Sequence, residues 1–120
     1  MKMIKSLGCK AGVTLVPSTP ASSLAVALPL ADIVLVLTVH PGYSGQEFMP
    51  EVVSKIAEIR GRLDETGSPA WLEVDGGISV QTISQVREAG AEAFVAAKAI
   101  FGHPDGIAAG IRELKSKITT

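Results

Sequence analysis

Apolar residues in this chain fall into short continuous runs separated by stretches of helical period. Ala11–Val16 is the first run and ends at Pro17. Ile33–Val39 is a β-branched and leucine run of the kind expected for a strand covered on both faces of a parallel sheet. Ala70–Val74 and Ala93–Ala97 complete the set. Between the runs, Thr19-Pro20-Ala21-Ser22 carries N-cap and first-turn residues for a short helix reaching about Leu28. Pro50 suits the first turn of a helix whose Val52, Val53, Ile56, Ile59 and Leu63 form one stripe opposite Lys55, Glu58, Arg60 and Arg62. Gly67-Ser68-Pro69 stops it. Ser79 is the predicted N-cap of a helix bearing Ile83 and Val86 and closed by Gly90. After Phe101-Gly102, Ile107, Ile111, Leu114 and Ile118 mark the last helix. Met3, Ile4 and Leu7, stopped by Gly8, read as the tail of an earlier helix.

Four strand–helix units without hairpin signals predict an α/β fold, a parallel sheet with right-handed crossovers, as one domain over residues 1–120. A chain of 120 residues can bury roughly two thirds of its unfolded surface, which is enough for a core. With 4% aromatic residues that core is aliphatic. A net charge of -1 and a pI near 6.1 argue against nucleic-acid or anionic-membrane partners. Cys9 is the single cysteine, which leaves no internal disulfide and no zinc spacing. Leu24–Val39 is interrupted by Pro29 and Asp32 and falls short of the ~20 residues of a membrane span, and Met1–Lys5 does not form a signal peptide. A soluble, cytoplasmic protein is the expectation.

Three segments follow apolar runs in the same way: His40-Pro41-Gly42-Tyr43-Ser44-Gly45-Gln46, Asp75-Gly76-Gly77, and Ala97-Lys98 within Ala96–Phe101. In a parallel α/β sheet these positions share the face at the strand ends, where ligands sit. Gly42, Gly45, Gly76 and Gly77 allow close backbone approach to an anion, so phosphate is the natural guest; glycine turns alone are the plainer alternative. Asp75, at a strand end, is placed to take a proton, give one or hold a metal, and an Asp-Gly pair equally suits a capped turn. Glu73, two residues earlier, points to the same side of the sheet and needs a partner. His40 reads as positioning its loop, His103 as a surface loop residue, and Lys98 either as a point charge for phosphate or as a solvated lysine.

Leu37–Phe48, Glu73-Val74-Asp75-Gly76-Gly77-Ile78 and Ala93–Phe101, taken as an ordered set, resemble the ribulose-phosphate 3-epimerase family of the pentose phosphate and Calvin pathways. The resemblance implies a (β/α)8 TIM barrel of roughly twice this length, of which this chain supplies units five to eight. It implies interconversion of D-ribulose 5-phosphate and D-xylulose 5-phosphate by proton transfer at C3, through an enediolate stabilised by a divalent cation, zinc or similar. On it, Asp75 is one acid/base and a metal ligand. Gly42, Tyr43, Ser44, Gly45, Gly76, Gly77, Ala97 and Lys98 bind the ketose phosphate. The second aspartate and two metal-ligand histidines belong to strands one to three, so the chain is expected to be a fragment inactive alone, partnered as a homo-oligomer or by a complementing N-terminal half.

Ala97-Lys98 stands where the family usually has Gly-Ser, and an alanine keeps the backbone donors only where positive φ is not required. Ser44 replaces a common glycine and Leu37 a common methionine. Two other readings are a non-catalytic phosphate-binding or assembly half-barrel and an epimerase of a related ketose phosphate such as allulose 6-phosphate.

Overall fold

The computed structural model describes residues 1–41 and 47–119. A short helix α1 (Lys2–Ser6) leads to strand β1 (Gly12–Leu15), followed by β2 (Ile33–Leu37), helix α2 (Val52–Thr66), β3 (Trp71–Asp75), α3 (Ile83–Ala89), β4 (Ala93–Val95), α4 (Lys98–Phe101) and α5 (Ile107–Ser116). The strands form one sheet in the order β1-β2-β3-β4, and every neighbouring pair is parallel. The predicted α/β architecture is the observed one.

Alternation along β2 and β3 sets the layers. Val34 and Val36 share a face with Leu72, Val74 and Leu15, and all five are buried. Val52, Ile56, Ile59 and Leu63 of α2 and Ile83 and Val86 of α3 belong to the same buried core. Each such aliphatic side chain contributes about 1.5–3 kcal/mol by leaving water. Arg60 locks α2 to the end of α3: its side chain crosses Gly90 and pairs with Glu92 at 2.9 Å and Asp64 at 3.0 Å. A Cβ on Gly90 would lie 2.4 Å from the Arg60 side chain, so the crossing requires glycine.

The opposite face carries Ile33, Leu35, Leu37, Trp71, Glu73, Asp75 and Val95, and no helix of the described residues covers it. The expectation that Ile33–Val39 is buried on both faces is therefore corrected: Ile33 is 37% exposed and Trp71 56%. An apolar run reports that both sets of side chains avoid water, not that this segment supplies both covers.

Other boundaries also moved. The helix expected through Leu28 is two 3-10 turns, Ala21–Leu24 and Leu28–Leu30. Pro29 has no N–H for an α-helical ladder, and the bonds that form run from Ala27 N–H to Leu24 and from Leu30 N–H to Ala27. Ser79 organises the approach to α3 one turn before the helix begins. Its Oγ accepts the Gln81 N–H at 3.2 Å, its own N–H donates to Thr82 Oγ1 at 2.9 Å, and Thr82 is the N-cap.

Candidate functional site at the carboxyl ends of the strands

Because all four strands are parallel, their carboxyl ends lie together. Asp75 is the last residue of β3 and half-buried, in register with Leu37 of β2 and Val95 of β4 on the uncovered face. Glu73 shares that face, and among the described residues its side chain makes neither a hydrogen bond nor a salt bridge. Gly42, Tyr43, Ser44 and Gly45 of the first loop lie outside the described residues.

Two loops of the rim are tied together by Thr38, a residue that sequence reasoning passed over. It is fully buried. Its hydroxyl donates to the Gly76 carbonyl, its N–H donates to the Asp75 carbonyl at 2.9 Å, and its carbonyl accepts the Met49 N–H at 2.8 Å. One threonine thus positions the backbone that carries Asp75. No local signal announces it, since a threonine within a β-branched run is ordinary strand composition.

Gly76 and Gly77 have φ of +127° and +67°, a region that favours glycine. Space is equally demanding: a Cβ on Gly76 would lie 2.8 Å from Val39 Cγ2, and one on Gly77 would lie 2.8 Å from the Phe48 backbone nitrogen. The close approach visible at these glycines is therefore that of the neighbouring loop. Ala97 has φ of −116°, so alanine is accommodated where the family usually has glycine. Lys98 is exposed at the start of α4.

Lys55 buttresses the rim from behind. Its Nζ donates to the carbonyls of Val16 at 3.2 Å and Pro17 at 2.5 Å, just beyond β1, and desolvation lowers its pKa from the usual lysine value. A cavity of about 360 Å³ opens between the β3 loop and α4–α5, bounded by Gly77, Ser79, Gln81, Lys98, His103 and Glu113 among others. His103 is part-buried there rather than a free surface residue. Its Nδ1 accepts the Asp105 N–H at 3.0 Å, which puts the ring proton on Nε2, 2.6 Å from Glu113 Oε2. That pairing spans ten residues across the Gly106 turn and has no sequence signature.

Among the described residues no three His, Cys, Asp or Glu side chains come together as a metal-binding group. Asp75 offers a single carboxylate, whereas a stably bound divalent ion takes about four or more donors. The described residues do not by themselves fit a metal. No described helix is long and apolar enough to cross a membrane.

A four-stranded parallel sheet with helices on one face and loops converging at its carboxyl edge is a TIM-barrel-type arrangement. The same architecture recurs in a solved 3-hexulose-6-phosphate synthase, at a TM-score of 0.65 and 26% identity over 98% of this chain and 54% of that one. A second synthase, from Salmonella typhimurium, superposes with the same score at 20% identity. The sequence pattern of the Ribulose-phosphate 3 epimerase family matches residues 1–101, and the chain belongs to that family. It is 45% identical over 105 residues to the ribulose-phosphate 3-epimerase of Escherichia coli K12, covering 88% of this chain and 47% of that protein. A Synechocystis relative of the same name is 46% identical over 114 residues, covering 93% of this chain and 50% of that protein. The chain spans about half the length of the curated relatives it matches.

Proposed function

We propose that this chain is units five to eight of a ribulose-phosphate 3-epimerase barrel and supplies one of its two proton-transfer groups, Asp75. The observation that carries this reading is a half-buried carboxylate at the carboxyl end of β3, inside the segment that matches the epimerase family. As a carboxylate, Asp75 takes the C3 proton of a ketose 5-phosphate, and the electron pair passes into the C2 carbonyl to give an enediolate. Returning a proton to the other face of C3 gives the epimer. That step needs an acid on the opposite side, and Asp75 cannot serve both faces.

Thr38 keeps the Asp75 backbone in place while the proton moves. The β3 loop and Ala97-Lys98 present backbone N–H groups, and Lys98 a charge, toward the substrate phosphate. Gly42, Tyr43, Ser44 and Gly45 join this cradle on the family resemblance. A divalent cation would take Asp75 as one ligand and the rest from outside these residues.

The test is a completed barrel: residues 1–120 fused behind the half of the E. coli relative that they do not match. Ribulose 5-phosphate turnover by the fusion, lost on the order of 10²–10⁴-fold in Asp75→Asn, is expected. Undiminished activity in that variant would overturn the assignment. Competition between ribulose 5-phosphate and allulose 6-phosphate on the same fusion decides the substrate. The uncovered sheet face favours one second reading, a non-catalytic half-barrel whose role is assembly.

A further inference from the structure

Ala97 and Lys98 stand at the start of α4, and α4 cannot hold them in place by itself. It is a single turn, Lys98–Phe101, with none of its residues fully buried and no side-chain cap on its first turn. A helix this short is not stable alone, because one turn fixes several residues for a single hydrogen bond. Toward the β3 loop it borders the cavity of about 360 Å³ rather than packed side chains. Among the described residues, α5 is the element it packs on most extensively.

Gly110, Glu113 and Leu114 lie three and four residues apart and so share one face of α5. Each makes a different contact. Leu114 belongs to the buried core. Gly110 is buried, and a Cβ there would lie 2.8 Å from the Ala99 carbonyl oxygen and 3.0 Å from Ile100 Cα, so the two helices meet backbone to backbone. A glycine has no side chain to interlock with its neighbour, so this contact fixes the spacing of the helices but not their register. Glu113 reaches past the end of α4 and accepts the His103 Nε2–H at 2.6 Å. His103 is held for that bond from its other side, where Nδ1 accepts the Asp105 N–H. Among the described residues, this is the one side-chain hydrogen bond that ties the end of α4 to α5.

We infer that His103 and Glu113 are positioning residues for the Ala97-Lys98 turn: their bond pins the far end of α4 to α5 and so fixes where that turn presents its N–H groups and the Lys98 charge. The inference rests on the phosphate role of Ala97-Lys98 proposed above. Neither side chain touches substrate in this role.

Charge and position predict opposite signs. Glu113 and Lys98 border the same cavity. Through charge alone, removing a carboxylate near an anion site strengthens anion binding. Through position, removing it releases α4 and weakens that binding.

The experiment is a titration of the isotope-labelled 120-residue chain with inorganic phosphate, followed by nuclear magnetic resonance at the backbone amides of Gly77, Ala97 and Lys98. Saturable shifts at these amides are expected in the parent, with the His103 ring in its Nε2–H form. Glu113→Ala should raise the apparent Kd roughly three- to tenfold. His103→Asn, which keeps an acceptor for the Asp105 N–H but falls short of Glu113, should weaken binding likewise and decides the matter if Glu113→Ala does not fold. Glu113→Gln keeps an oxygen acceptor without the charge and should restore binding to the parent's level or tighter. The same spectra show whether each variant is folded. No saturable phosphate shift in the parent, parent-like or tighter binding in Glu113→Ala, or a Glu113→Gln variant as weak as Glu113→Ala would each overturn the proposal. A fused barrel that turns over no ribulose 5-phosphate while this phosphate pattern holds counts against the epimerase reading and leaves the positioning role standing.

Discussion

The hydroxyl of Thr38 donates to the carbonyl of Gly76, thirty-eight residues further along the chain, and this bond joins the ends of two adjacent strands at the rim that carries Asp75. Replacing Thr38 with valine keeps the shape and leaves the Gly76 carbonyl without its partner. The expected cost is about 1–3 kcal/mol in urea denaturation, with Thr38→Ser losing clearly less. Equal stability of the valine variant and the parent would show that the bond contributes nothing.

Gly77 and Gly67 both adopt left-handed backbone, with φ of +67° and +65°, but only at Gly77 would a Cβ meet a neighbour. Gly67→Ala should cost about 1 kcal/mol, the price of left-handed backbone alone. Gly77→Ala should cost more by ~1 kcal/mol or above, because Phe48 must shift as well. Thermal unfolding of the two variants side by side gives the ranking.

Ala97 sits at φ of −116°, so a glycine there relieves no strain. Ala97→Gly is expected to leave stability unchanged or lower it by less than ~1 kcal/mol. A marked gain in stability would show that the alanine is strained.

Ile59 is fully buried between α2 and the sheet. Its truncation to alanine should cost about 2–5 kcal/mol, whereas Val26→Ala on the exposed flank should stay within about 0.5 kcal/mol. Chemical denaturation of both variants separates core from open surface.

Asp32 accepts the Ala11 N–H at 2.8 Å and faces Lys5 at 3.3 Å. The hydrogen bond from Ala11 is the main reason its pKa lies below the ordinary carboxylate value. Its contribution is therefore complete above the unfolded pKa and is lost as pH falls through the lower native one. Asp32→Asn should be less stable than the parent at neutral pH, and the gap should narrow in acid. A gap that is constant with pH would rule out this linkage.

Much of the architecture was legible along the chain. Runs such as Ile33–Leu37 and stripes such as Ile56, Ile59 and Leu63 differ in period, and parallel connections follow from helices placed between strands. The one-sided cover of the sheet was not legible. Leu35 and Val36 are both apolar, yet only Val36 is fully buried, because burial depends on what packs above the sheet. At the site, Asp75, Gly76 and Gly77 stood out by residue type and position. Thr38 and the His103–Glu113 pair did not, since each acquires its role from a partner distant in sequence.

By itself the sequence determined the strand–helix order, the glycines that turn the chain after β3, and the carboxylate at that strand's end. These follow from side-chain period and local backbone sterics, which act over a few residues. Tertiary structure alone decided that Thr38 holds the Asp75 loop, that Phe48 fills the space beside Gly77, and that Glu73 and Asp75 look out from an open face. Those outcomes depend on through-space packing and hydrogen bonding between segments tens of residues apart.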